Sequence, residues 1–215
     1  MIDKIKEKIN TFITELEKDP PPEENKIIVM DPSALKGEPD MRVLGLFADV
    51  AEDKVAELVH AFLYLNELNK EAQSPEEVKP IEFYLSTYGG SADDMFALYD
   101  IMRLVQDHSE IHTIGMGKVM SAGVLLLAAG TKGKRKIGKN CRVMIHSAMA
   151  GNHGSLPNLV NEMEALQQLQ ESYINALVGE TKMTQEEIKN MLERKVNVYL
   201  SAEEAVELGI ADIIM

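Results

Sequence analysis

The sequence has one cysteine, few basic residues and no long apolar segment, and each shortage excludes a class of protein. With Cys141 as the single cysteine, no intrachain disulfide can form, which is compatible with a reducing compartment. The 22 basic residues face 35 acidic ones, and the net charge of −13 disfavours a general nucleic-acid binder. No run of ~18 apolar residues predicts a membrane span, and no secretory signal is found. We therefore expect a cytoplasmic protein that binds neither nucleic acid nor membrane.

The hydrophobic pattern predicts an α/β domain. Hydrophobic residues make up 45% of the 215 residues and charged residues 27%, which suits one sizeable core with an appendage. Strands are predicted at residues 27–30, 43–47, 81–86, 111–116 and 142–146. Helices are predicted at residues 52–68, 92–105, 121–129, 159–178 and 201–208. This alternation indicates a mainly parallel sheet with right-handed crossovers, whose ligands gather beyond the carboxyl ends of the strands.

The beginning of the chain differs from the rest. Residues 1–18 place isoleucines, a phenylalanine and a leucine on one helical stripe. The proline run at residues 20–22 ends that helix and acts as a stiff spacer. We therefore divide the chain into an N-terminal segment, residues 1–22, and a domain, residues 23–215.

Some polar groups are interpreted as structural. Cys141 lies in an apolar stretch typical of a buried strand, where thiols are usually inert. The basic residues 132–136 are interpreted as a solvated turn, and residues 69–80 as an exposed polar loop. His60, His108 and His112 have no partners at the spacing of a metal site, so no metal ion is expected.

Ser121 opens an apolar helix directly after a turn that contains Gly115 and Gly117. Serine is a favoured N-cap residue, and that role alone would explain its position. A hydroxyl at a helix N-terminus is also well placed to act as a nucleophile, because the next backbone N–H can stabilise an oxyanion. The serine by itself leaves both interpretations open.

His146 and a glycine pair favour the catalytic interpretation. His146 ends an apolar strand and lies at the sheet edge where the Ser121 turn also opens. Histidine is the usual base for a serine hydroxyl, because its pKa lies near neutrality. Gly89 and Gly90 end another strand, and two glycines there let a backbone N–H approach a ligand closely.

Four segments, taken in order, resemble the Clp protease proteolytic subunit. They are YLSTYGG at 84–90, MSAG at 120–123 continued by LLAAG at 126–130, RVMIH at 142–146 and SAEEAVELGIAD at 201–212. The resemblance runs from about residue 41 to residue 212. It implies the fold shared with crotonases: repeated β-β-α units, a mainly parallel sheet and a protruding handle helix at about residues 147–180.

The resemblance implies a serine endopeptidase that needs no cofactor and no metal ion. Ser121 would be the acylated nucleophile, His146 the general base, and Gly90 and Ala122 the donors of the oxyanion hole. The substrate would be an unfolded polypeptide bound between strand edges. Stacked heptameric rings, a tetradecamer of one chain, would enclose the chamber, and an AAA+ ATPase unfoldase would supply substrate.

The third member of the catalytic triad departs from the family. The family has an aspartate shortly before the segment that begins at Ser201, and residues 191–201 contain none. Counting back without gaps gives Glu193, and a shortened connection gives Asn197. We favour Asn197, because an amide oxygen can accept a hydrogen bond from a ring N–H.

Other departures leave two further hypotheses. Residues 1–18 do not resemble the family's axial pore segment, and Tyr88 stands where the family usually has proline. The weak third triad position motivates a catalytically silent structural subunit. A crotonase-type acyl-CoA enzyme is the remaining alternative, because that fold also uses paired N–H donors.

Overall fold

A mainly parallel β-sheet organises the residues that the computed structural model describes, namely 41–151, 153–193 and 197–215. Its strands are β1 (Val43–Leu46), β2 (Ile81–Thr87), β3 (Ile111–Met120), β4 (Lys136–Ile137), β5 (Arg142–Ile145), β6 (Val198–Leu200) and β7 (Ile213–Ile214). The helices are α1 (Glu52–Lys70), α2 (Ala92–Val105), α3 (Ala122–Ala128), α4 (Leu156–Glu180), α5 (Gln185–Glu193) and α6 (Ala202–Glu207), with a 3₁₀ turn at Pro75–Glu77. The helix predicted at residues 1–18, the proline spacer and the strand at 27–30 lie outside the described residues, so the boundary at residue 22 stays a prediction.

The strand order confirms the predicted fold class. Parallel pairs join β1, β2, β3, β4 and β7 in that order. The last residues of β3 also pair in parallel with β5, and β5 pairs antiparallel with β6. Helices connect the parallel strands, as crossover connections require.

Strand β3 is longer than predicted and contains an irregularity. Leu85 of β2 lies opposite Gly115, but Thr87 lies opposite Val119, so β3 holds two extra residues between these pairs. Gly117 lies inside this bulge with a φ of +66°. The predicted strand ends at Met116, because a bulge that contains glycine has the same local sequence pattern as a turn.

The bulge lets β3 change neighbours along its length. Before the bulge, Ile114 and Gly115 pair with β4. After it, the residues from Lys118 to Met120 pair with β5. As a result, the chain enters Ser121 beside the strand that leads to His146.

The core packs on one face of β2 and around α3. Alternate residues of β2 are buried, as the two-residue period of a strand requires. Phe83 of β2 meets Phe62 of α1 edge to face, with ring centroids 5.3 Å apart. All seven residues of α3 are buried, so the helix that follows Ser121 is fixed within the core.

Helix α4 is anchored at one end only. Its buried residues are confined to the last two turns and the end of the helix: Tyr173, Ile174, Leu177 and Glu180. The preceding turns are mostly exposed, including the apolar side chains of Leu156 and Met163. This pattern fits the predicted handle helix, and α4 begins three residues before the predicted start at residue 159.

A buried ionic cluster holds the anchored end of α4. The Glu180 carboxylate pairs with Arg103 at 2.9 Å and Lys132 at 3.1 Å, and it accepts a hydrogen bond from the Tyr99 hydroxyl at 2.9 Å. Burial, reinforced by Glu180, raises the pKa of Tyr99 to about 12. This tyrosine therefore remains a donor at neutral pH.

The basic stretch at residues 132–136 is a solvated turn only in part: residues 132–134 are exposed, as predicted, but Arg135 is buried. Its Nε donates to the Asp212 carboxylate at 2.8 Å, and its Nη1 donates to the Glu180 carbonyl at 2.7 Å. The partners lie 77 and 45 residues away, so no local pattern could have predicted this burial.

The polar loop expected at residues 69–80 begins later than predicted. Asn69 is buried within α1, and its side chain donates to Ser109 Oγ at 2.8 Å and to the Lys79 carbonyl at 2.9 Å. Buried polar groups are usually satisfied in this way. The loop is thus tied down at both of its ends.

Two further observations bear on the expectations from composition. Cys141 is a free, buried thiol, and burial raises its pKa to about 11, as expected for an inert cysteine. Among the described residues, no helix is both long and apolar enough to span a membrane.

We expect Asp212→Ala to lower the free energy of unfolding by about 3 kcal/mol, because the buried Arg135 guanidinium then lacks its carboxylate. Burial alone would raise the pKa of Asp212, but hydrogen bonds from Arg135 outweigh it and hold the pKa below 3.8. The contribution is therefore present above that pH and is lost as the pH falls through the folded value. Chemical denaturation at neutral and acidic pH, with the exposed Asp107→Ala as control, measures both effects. Equal losses for the two variants at neutral pH would contradict the role of the pair.

Candidate active site

Ser121 has a strained backbone conformation. Its φ is 53° and its ψ is −122°, and it is the one non-glycine residue with positive φ among those described. Such a conformation costs about 1–3 kcal/mol and persists only where surrounding contacts enforce it. Its side chain makes no N-cap hydrogen bond to α3, so capping does not explain the serine. A strained turn between a strand and a helix is also how α/β-hydrolases present a nucleophilic serine.

Three hydrogen bonds hold the Ser121 backbone. Its N–H donates to the Met144 carbonyl of β5 at 2.8 Å, and its carbonyl accepts from the Val124 N–H at 2.9 Å. The same carbonyl accepts from the Tyr173 hydroxyl at 3.1 Å. The sheet, α3 and α4 therefore all contribute to this one residue.

Gly89 packs directly against the Ser121 turn. A Cβ on Gly89 would lie 2.6 Å from the Ser121 Cβ and 2.9 Å from the Met120 carbonyl oxygen. The φ of Gly89 is +100°, which also favours glycine. The glycine pair is predicted to have one shared role, whereas in the structure Gly89 makes room for the Ser121 turn and Gly90 exposes its backbone N–H.

Two backbone N–H groups open beside Ser121. Gly90 forms an isolated parallel bridge with Val50, and the bonds of that bridge use the carbonyl of Gly89 and the N–H of Ser91. The N–H of Gly90 itself therefore faces away from Val50. Ala122 is the first residue of α3, where the N–H has no partner within the helix. Among the described residues, neither N–H has an acceptor.

His146 lies in the same cavity as Ser121. The cavity has a volume of about 740 Å³ and is also lined by Gly90 and Ala122. His146 directly follows β5 and is half-buried. Within the described part of the chain, its ring has no hydrogen-bond partner. Contacts between catalytic groups are often long in unliganded proteins and shorten when substrate binds.

The pairing of β5 with β6 distinguishes the two candidates for the third position. Ile145 lies opposite Val198 in this antiparallel pair. The ladder ends at this pair, and extending its register by one residue would put His146 opposite Asn197. Glu193 is instead the last residue of α5 and lies outside the sheet.

The walls of the cavity come from segments on both sides of the Ser121 turn. Ser91 and Ala92 line one side, and residues 147–150 line the other. The exposed ring of Tyr88 stands at the edge, with Lys118 Nζ 4.5 Å from its centroid. Several residues of α4 complete the cavity, including Gln170 and Tyr173.

Sequence reasoning missed the roles of Tyr173 and Gln170. Tyr173 supports the Ser121 carbonyl, and Gln170 Oε1 accepts from the Ala148 N–H at 3.1 Å. Both lie on the amphipathic stripe of α4, where a tyrosine usually indicates core packing. The signal that could have separated Tyr173 from other core residues is its hydroxyl, which needs a partner when buried.

Comparisons with known proteins point to one family. A family model described as Clp protease matches residues 40–215. The ATP-dependent Clp protease proteolytic subunit 1 of Prochlorococcus marinus subsp. pastoris is 34% identical over 174 residues, which is 81% of this chain and 83% of the relative. The proteolytic subunit of Deinococcus radiodurans is 34% identical over 142 residues, 66% of this chain and 67% of the relative.

We expect Gly89→Ala to destabilise the protein by at least about 2 kcal/mol more than Gly133→Ala. Both glycines have positive φ, so alanine costs about 1–2 kcal/mol of backbone strain at either site. A Cβ at Gly133 meets nothing within 4 Å, whereas one at Gly89 collides with the Ser121 turn. Chemical denaturation of both variants tests this, and equal losses would show that Gly89 does not support the turn.

Proposed function

Since this chain belongs to the Clp protease family, a family of peptidases, we propose that it is a serine endopeptidase with Ser121 as its nucleophile. The observation that carries the proposal is the strained Ser121 turn, which shares one cavity with His146 and two unoccupied backbone donors. The comparisons give no support to a crotonase-type acyl-CoA enzyme.

The proposed reaction is acyl transfer to water. His146 takes the proton of Ser121 Oγ while the oxygen attacks the carbonyl carbon of the peptide. The N–H groups of Gly90 and Ala122 stabilise the resulting oxyanion. The intermediate collapses, His146 protonates the leaving amine, and water then hydrolyses the Ser121 ester by the same steps in reverse order.

Asn197 is the proposed third member of the triad. Its amide oxygen accepts from the far N–H of the imidazole, and this bond holds the ring in the tautomer that can accept the serine proton. An amide carries no charge, so it stabilises the imidazolium less than an aspartate does. We therefore infer a slower acylation step than in relatives with aspartate.

The proposed substrate is an unfolded polypeptide in an extended conformation. The backbone on either side of the cavity, at residues 90–92 and 147–150, supports this inference, because an extended peptide can add to such edges by backbone hydrogen bonds. Tyr88 stands beside the bound chain in this arrangement.

We propose a homo-oligomer of stacked rings, a tetradecamer, located in the cytoplasm. The exposed apolar residues on the projecting part of α4, among them Leu156, Val160 and Met163, support contact between copies of the chain. The relatives are described as proteolytic subunits of ATP-dependent proteases, which supports an AAA+ ATPase unfoldase as partner. The unpaired thiol of Cys141 supports a reducing compartment.

A silent structural subunit is the second candidate. It is favoured by the asparagine at the third position and by the His146 ring, which has no partner in the described part of the chain. Labelling with a fluorophosphonate separates the candidates. A folded, assembled protein whose Ser121 never acylates would be the silent subunit.

We expect Ser121→Ala to abolish peptide hydrolysis and fluorophosphonate labelling, because no other group supplies the attacking oxygen. The assembly remains intact, since the Ser121 hydroxyl makes no hydrogen bond that the fold needs. Turnover of a fluorogenic peptide and size-exclusion chromatography measure the two properties. Ser147→Ala, in the same cavity, is the matched control and retains labelling. Hydrolysis by Ser121→Ala near the wild-type rate would defeat the assignment.

We expect Asn197→Ala to lower kcat by about tenfold or more, and Glu193→Ala to have little effect, because the register of β5 and β6, extended by one residue, supports Asn197 as the neighbour of His146. Asn197→Asp places a carboxylate there, whose negative charge favours the protonated form of the imidazole. The acidic limb of the rate profile then moves to higher pH, and the maximal rate rises. Steady-state kinetics from pH 5 to 10 measure these changes. The reverse order of the two alanine variants would transfer the role to Glu193.

A further inference from the structure

Helix α4 is hydrogen-bonded to both segments that carry the proposed chemistry. Tyr173 donates to the Ser121 carbonyl at 3.1 Å. Gln170 accepts from the Ala148 N–H, two residues after His146, also at 3.1 Å. The two side chains are three residues apart and so lie on one face of the helix, about one turn from each other. One helix face thus contacts the nucleophile segment and the base segment together.

Tyr173 marks the point where α4 enters the core. It is the first buried residue of the helix, and the residues before it are exposed or half-buried. Burial raises the pKa of its hydroxyl, which therefore stays protonated at neutral pH. The hydroxyl can thus donate a hydrogen bond and carries no charge. Its position and protonation are both fixed by packing.

The hydrogen bond from the Tyr173 hydroxyl affects both the Ser121 carbonyl and the Ala122 N–H. The Ser121 carbonyl and the Ala122 N–H belong to one planar peptide group, so they turn together. Fixing the direction of the carbonyl therefore fixes the direction of the N–H, which is one of the two proposed oxyanion donors. Because Ser121 is strained, this peptide would otherwise be free to relax by rotation.

We propose that Tyr173 and Gln170 are positioning residues for peptide hydrolysis, a proposal that rests on the function proposed above. Tyr173 orients the Ser121–Ala122 peptide and with it the oxyanion donor. Gln170 holds the segment that follows His146. Helix α4 thereby fixes the positions of the nucleophile, the base and the oxyanion hole relative to one another.

Tyr173→Phe tests the first contact, because it removes the hydroxyl and keeps the buried ring. We expect kcat for a short fluorogenic peptide and the rate of fluorophosphonate acylation to fall about tenfold, the effect of one lost hydrogen bond at the transition state. KM stays within about twofold and the pH of half-maximal rate does not move, because neither substrate binding nor the base is altered. Tyr99→Phe, which removes a half-buried hydroxyl from the Glu180 cluster about two turns further along α4, leaves the acylation rate unchanged.

Gln170→Leu and Gln170→Glu test the second contact. Leucine removes the acceptor and lowers kcat by a similar factor, whereas glutamate keeps an oxygen for the Ala148 N–H and restores most of the rate. A Gln170→Leu variant with a lower KM and a higher rate would overturn this part, because the side chain would then be occupying the place of the substrate.

The outcomes separate this inference from the function on which it rests. If Tyr173→Phe acylates as fast as the wild type and Tyr99→Phe do, the positioning role of Tyr173 is wrong. The proposed peptidase function is then unaffected. If the assembled wild type never acylates, both proposals fail. Hydrogen exchange gives a readout without turnover: we expect faster exchange at the Ser121 and Val124 amides in Tyr173→Phe, and unchanged exchange would contradict the proposal.

Discussion

The backbone of Ser121 is the constraint on which the rest of the site depends. A non-glycine residue with positive φ returns to an ordinary conformation unless its neighbours prevent it. Here the neighbours are a β5 carbonyl, the first turn of α3, the hydroxyl of Tyr173 and the close approach of Gly89. Apart from α3, which follows directly, these contacts come from parts of the chain far from Ser121 in sequence. The conformation of the serine is therefore a property of the folded domain and not of its local sequence.

The bulge in β3 explains how one sheet can bring these parts together. A regular strand would keep the same two neighbours along its length, and β5 would then have no edge to occupy. By inserting two residues, β3 pairs with β4 first and with β5 later. The serine at the end of β3 and the histidine at the end of β5 consequently emerge side by side. The position of the site follows from an irregularity in the sheet.

Much of the fold could be predicted from the sequence, because long segments with a clear period dominate it. Helix Ala92–Val105 has the predicted bounds, and the mainly parallel sheet is confirmed. Strands of two or three residues, such as Lys136–Ile137, are too short to show a period. The burial of Arg135 and the support from Tyr173 depend on distant partners. For the third triad position, counting along the chain does not choose between Asn197 and Glu193. Only the pairing of β5 with β6 shows that the two residues differ in their position relative to the sheet.

The one-sided anchoring of α4 has a mechanical consequence. From Tyr173 to Leu156 the helix extends 17 residues, or roughly 25 Å at ~1.5 Å per residue. A tilt of about 5° at Tyr173 would displace the far end by roughly 2 Å, while atoms within a few ångströms of the fulcrum would move by only a few tenths of an ångström. The projecting end of α4 thus moves much further than the atoms near Tyr173. Large excursions at its tip are attenuated before they reach the serine, and small shifts at the serine are magnified at the tip.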